Sequence, residues 1–214
     1  VVRFGPTVPG GPDVAAIGAR EHVHRKWIRA GTRVVMARIP LGLTRSVLGV
    51  SAAEIAGRIV ALEDLWGDAA RVLRDRLAAA RRSSEAAALV ERAISDRVTS
   101  ADRADLALAA ADKLVHASVR DVAEQLGVSE RQLRRVFRDA VGLSPKSFAR
   151  LARFHRALEA ARGGETWTRI AADAGYCDQA HLIDEFRSIA GTTPRAFMTE
   201  LPGSMSWASA GSNP

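Results

Sequence analysis

The stretch Ser129–Gly142, SERQLRRVFRDAVG, constrains this chain more than any other. Leu133, Val136, Phe137 and Ala140 fall at i, i+3, i+4 and i+7, so on a helix they share one face. Arg131, Arg134, Arg135 and Arg138 repeat the spacing on the opposite face. Ser129 can cap the orphan amides of the first turn, and Gly142 is a natural stop. Arginines three and four residues apart repel one another, and a polyanion would relieve that. The expectation is a helix with an apolar underside whose cationic ridge enters the major groove of DNA.

The remaining composition fits a packed, mostly helical chain. Ala, Leu, Arg and Glu dominate after Pro40, and strand formers are sparse there. A net charge of +7 over 214 residues favours a polyanionic partner, although charge alone does not separate nucleic acid from an anionic membrane. No apolar run is long enough to span a bilayer and no secretory signal opens the chain, so no membrane partner is expected. The single cysteine, Cys177, rules out an internal disulfide and suits a reducing, cytoplasmic setting. The chain opens on Val1 rather than Met, as a fragment or a trimmed start would.

Read in order, Gly5–Pro12 is turn-rich. Asp13–Arg20 is a short strand candidate, and Thr32–Ile39, with its Val-Val and Ile, is the best one. Two strands do not make a stable sheet, so this end reads as the remainder of a larger β unit or as pairing with something else. Leu41–Leu48 and Ser51–Val60 read as short helices, the second opened by a Ser51/Glu54 capping box. Leu62–Trp66 leads into a helix over Gly67–Arg82 with Leu73, Leu77 and Ala80 buried; Glu85–Arg97 is helical again, and Arg81 and Arg82 read as solvated surface. Ala101–Ala117 follows. Ser118 caps a helix over Val119–Leu126 that Gly127 ends, and the arginine helix comes next. Helix, short glycine turn, helix is the helix-turn-helix pattern. Ser144-Pro145 then opens a long helix to about Arg162, carrying Lys146, Arg150, Arg153 and Arg156, with Phe148, Leu151, Phe154 and Leu158 as its core side.

The pattern repeats. Trp167–Ala174, Gly175, the cap Asp178 and Gln179–Ala190 form a second such unit, and Thr193-Pro194 opens a last helix to about Glu200. Val122-Ala123 and Gly127 match Ile170-Ala171 and Gly175. Leu133, Phe137, Arg138 and Gly142 match Leu182, Phe186, Arg187 and Gly191. The predicted fold is therefore mainly α, two helix-turn-helix subdomains joined by a long linker helix, with a small α/β N-terminal region. The expected division is 1–98 as a partial regulatory or dimerisation region, 99–201 as the double helix-turn-helix domain and 202–214 as a flexible tail.

SVRDVAEQLGVSERQLRRVFRDAVGLSPKSF and IAADAGYCDQAHLIDEFRSIAGTTPRAF carry a family likeness. Residues 101–200 resemble the DNA-binding domain of the AraC/XylS family of bacterial transcription regulators. The resemblance implies two recognition helices in successive major-groove segments, about 34 Å apart. It also implies an N-terminal domain that senses a ligand or dimerises. Val35–Gly67 looks like the end of the N-terminal region of one subgroup, with much of the β-rich part absent. The partners so implied are double-stranded DNA, with RNA polymerase, a small-molecule effector and a second copy of the chain as further candidates.

The resemblance places base-reading side chains early on the outer face of the first recognition helix, here Arg131, Arg134 and Arg135, with Gln132 near the edge. Arginine suits guanine because its fork can donate to O6 and N7 together. Arg138 lies deeper along the helix and is expected on phosphate, as are Lys146, Arg150 and Arg153. In the second unit the positions equivalent to Arg131, Arg134 and Arg135 are Ala180, Ile183 and Asp184, followed by Glu185. From Glu165 to Glu200 there are three Lys/Arg against six Asp/Glu, while from Ser129 to Arg156 there are eight against two. Phosphates attract the basic stretch and repel the acidic one. The first recognition helix (129–141) and linker helix should dominate affinity, with the second unit reading lightly through Gln179 and His181 and meeting phosphate through Arg187.

No Gly-rich phosphate loop, nucleophile elbow or paired-carboxylate motif appears, so neither an enzyme nor a cofactor is expected. His22 and His24 flank one residue without a third ligand nearby, and no metal is expected. The competing reading is a helical dimerisation or interaction protein built on residues 40–98, with secondary or non-specific DNA binding.

Overall fold

The computed structural model describes residues 2–4, 12–24, 32–98 and 105–200. The expected turn at Gly5–Pro12 (Pro12 apart) and the expected tail at 202–214 lie outside them. Packing divides the chain into two units, one running to Glu21 and from Arg25 to Ala152, the other taking His22–His24 and everything from Arg153. The division falls inside the helix over 145–162.

The first unit begins with a four-stranded antiparallel sheet of order β3-β1-β2-β4, made of β1 (Val2–Phe4), β2 (Asp13–Ile17), β3 (Arg33–Val35) and β4 (Ile59–Ala61). Val2 pairs with both Val14 and Val35, and Ala16 with Val60. β1 and β4 were not expected; β1 pairs with both expected strands and β4 with β2. The correction at β4 has a local cause. The helix expected over Ser51–Val60 is only α2 (Ala52–Ile55), because Ala56 is extended and Gly57 turns the chain at φ +73°. Gly57 N–H then donates to the Ala19 carbonyl at 2.9 Å, and Gly18 N–H to the Arg58 carbonyl at 3.0 Å. This draws Ile59 alongside Ile17.

The helices follow closely. α1 (Thr44–Leu48) is shorter than expected. The Ser51/Glu54 capping box is formed, and bonds from the Ser51 amide and hydroxyl hold the Glu54 carboxyl below the usual glutamate range. α3 (Leu62–Trp66), α4 (Asp68–Ala79) and α5 (Ser83–Ser95) complete a core around Val47, Leu48, Ile55, Leu62, Leu73 and Leu77. α6 (Asp105–Leu114), α7 (Val119–Gln125) and α8 (Glu130–Val141) close on a second core of Ala110, Leu114, Val122, Leu133 and Phe137.

α9 (Pro145–Arg162) serves both units. Its Phe148 meets Phe137 edge-on at 5.2 Å in the first. Its Phe154 stacks on Phe186 at 4.5 Å in the second, beside α10 (Trp167–Ala174), α11 (Gln179–Ala190) and α12 (Pro194–Glu200). Phe197 and Trp167 also meet Phe186, so one aromatic ring organises that core.

Candidate nucleic-acid interface

Local chemistry sets the first helix-turn-helix. The Ser118 hydroxyl accepts from Asp121 N–H, α7 ends at Leu126, and Val128 N–H returns to the Ala123 carbonyl at 3.0 Å across the Gly127 turn. The Ser129 hydroxyl accepts from Gln132 N–H at 3.2 Å and opens α8. Leu133 and Phe137 are fully buried beneath the helix. That burial turns the other face outward. Arg131, Gln132, Arg134, Arg135 and Arg138 are all exposed. Arg134 forms an ion pair with Glu130, one turn earlier, and its side chain keeps 61% of its surface exposed. Arg131, Arg135 and Arg138 have no carboxylate within ion-pair reach among the described residues. Lys146 is exposed at the start of α9, and Arg150 is half-buried.

The far end of α8 is braced by the N-terminal helices of the same unit. Gly142 stops it in the left-handed conformation at φ +80°, and a Cβ there would come within 2.7 Å of the Ala52 carbonyl oxygen. Arg45 on α1 donates to both carboxylate oxygens of Asp139, at 3.2 and 3.3 Å. Sequence reasoning missed this contact, since nothing local to Arg45 or Asp139 announces it.

The second unit repeats the scaffold. The Thr166 hydroxyl caps α10, and the Asp178 carboxylate caps α11 by accepting from His181 N–H at 2.8 Å. Leu182 and Phe186 are fully buried. The two Ser/Thr-Pro caps also agree: Ser144 Oγ accepts from Ser147 N–H at 3.0 Å, and Thr193 Oγ1 from Ala196 N–H at 3.3 Å.

Arg153, expected on phosphate, turns inward. Its guanidinium pairs at 3.2 Å with Glu185, which is 8% exposed, and lies over the Tyr176 ring. A buried carboxylate needs such a partner. Glu185 is therefore paired within the unit. Next to it, Arg156 donates to the Ala174 carbonyl at 3.3 Å. On the outer face Gln179 and His181 are both exposed. Thr168 Oγ1 donates to Gln179 Oε1 at 3.2 Å, and Cys177 N–H donates to His181 Nδ1 at 3.4 Å, which leaves Nε2 as the outward donor. Arg187 is exposed and pairs with Asp184 at 3.7 Å. Thr168, on α10, and Tyr176, whose ring meets that of His181 edge-on at 5.3 Å, carried no sequence signal, because both contacts cross the turn between the helices.

A helix-turn-helix domain family matches residues 122–200, which run from α7 to the end of α12. This part of the chain is an AraC-type helix-turn-helix domain. The chain thus carries the DNA-binding domain of a transcription regulator. No curated relative and no solved structure matches the chain. Both helix-turn-helix units of the AraC-type domain lie within the match, apart from the first turn of α7. No helix among the described residues is long and apolar enough to cross a membrane.

Proposed function

We propose that the chain is a sequence-specific transcription regulator in which α8 supplies most of the reading and most of the affinity. The observation that carries this is the exposed ridge of Arg131, Arg135 and Arg138, none within ion-pair reach of a carboxylate among the described residues, on a helix whose Leu133 and Phe137 are fully buried. Arg131, Arg134 and Arg135 face base edges, with Gln132 beside them. Arg138, Lys146 and Arg150 meet phosphate and provide the salt-dependent part of binding. The second unit contributes Gln179 and His181 to the groove and Arg187 to the backbone. Arg153 leaves the phosphate set, because its charge is used on Glu185.

Selection of bound duplexes from a random DNA pool, followed by binding measurements on variants, tests this. Arg134→Ala should weaken the selected site by about 1–3 kcal/mol. His181→Ala should cost less than that. Equal losses, or a larger one at His181, would reject the division of labour. A chain that binds every duplex alike would reject sequence reading altogether.

A further inference from the structure

We infer that Glu130 is a positioning residue for base selection, holding the Arg134 guanidinium in the plane in which it meets a base pair. The inference rests on the reading of α8 as the base-reading helix. Glu130 is the first residue of α8, and its Oε2 receives a hydrogen bond from Arg134 Nη2 one turn on. Of the four ridge arginines, Arg134 alone is held by a carboxylate among the described residues. A guanidinium has five N–H donors, so one bond to Glu130 leaves the others for a guanine edge. Fixing the plane removes rotamers that would otherwise have to be lost on docking.

The cost is charge. A carboxylate on the ridge that approaches DNA opposes the phosphates and lowers affinity for every sequence alike. Glu130 thus trades general attraction for selectivity. Two plainer roles exist for an acid here: it interacts favourably with the amino end of the helix, and it adds a surface ion pair of small energy. Both would alter the stability of α8. Neither would alter which base pair is preferred.

The test uses the full chain, the duplex selected from a random pool, its single-pair substitutions and a scrambled duplex. Arg134→Ala identifies the base pair that Arg134 reads, by a loss of preference there of about ten-fold. Glu130→Ala and Glu130→Asp should both relax preference at that same pair, by about three-fold or more. Aspartate keeps the charge at the helix start but draws the carboxylate back by one methylene. Glu130→Ala should also bind the scrambled duplex more tightly, while Glu130→Asp leaves that binding unchanged. Adding Glu130→Ala to Arg134→Ala should relax the pair no further. Full retention of preference in both Glu130 variants overturns the inference, as does relaxation at a different base pair, which would make Glu130 a reader itself. A wild-type chain that binds selected and scrambled duplexes equally overturns the DNA reading and this inference with it. Selective binding by wild type with an indifferent Glu130 overturns the inference alone.

Discussion

The two helix-turn-helix units differ in what they place above the same foundation. Leu133 and Phe137 in the first and Leu182 and Phe186 in the second are all fully buried. Each recognition helix has a side-chain cap at its start and a left-handed glycine at its end. Above that frame, α8 carries an exposed row of arginines, whereas α11 carries Ala180, Ile183 and Asp184 at the equivalent places. Val136 in the first unit corresponds to Glu185 in the second, and there the helix adds a buried ion pair to Arg153 of α9. A repeated scaffold therefore does not repeat a surface. The apolar positions are held by packing, and the outer positions are free to diverge.

The largest effect expected concerns what the units share. Phe137→Ala and Phe186→Ala should each cost about 3–5 kcal/mol, read as loss of thermal stability of the full chain. A mild effect at either ring would mean that the two cores are not equivalent. The next concerns where they differ. Glu185→Ala strands the Arg153 guanidinium, which is 31% exposed and so partly solvated, and should cost about 1–3 kcal/mol. Val136→Ala, at the matching position, removes only half-buried methyl groups and should cost about 1 kcal/mol. A reversal of that order would remove the buried pair from the account of the second unit. The smallest effect sharpens the assignment of phosphate contacts. Arg150→Ala should flatten the dependence of log K on log salt by about 0.9, the value for one phosphate on duplex DNA. Arg153→Ala should leave the slope unchanged while lowering stability. A flattened slope for Arg153→Ala would return it to the phosphate set.

Most of the helical architecture was legible in the sequence. α7 to α12 lie within a residue or two of where apolar spacing, caps and glycines place them, and the match over residues 122–200 covers nearly the same span. These signals are local: a 3.6-residue period, a hydroxyl three residues from an amide, a proline at the first helical position. β4 was not legible, because three residues after Gly57 carry too short a pattern to outweigh the helical run before them. It forms only because β2 lies ready to pair with it.

By itself the sequence determined that two helix-turn-helix units exist, that each has an apolar underside, and that the first bears the arginines. Tertiary structure decided which of those charges face outward. Arg153 and Glu185 lie 32 positions apart, and Arg45 and Asp139 lie 94 apart. Pairing at such separation depends on how helices pack rather than on the spacing within any one of them. A period read along the chain reports a residue's own face, while the partner across that face is set only when the chain folds.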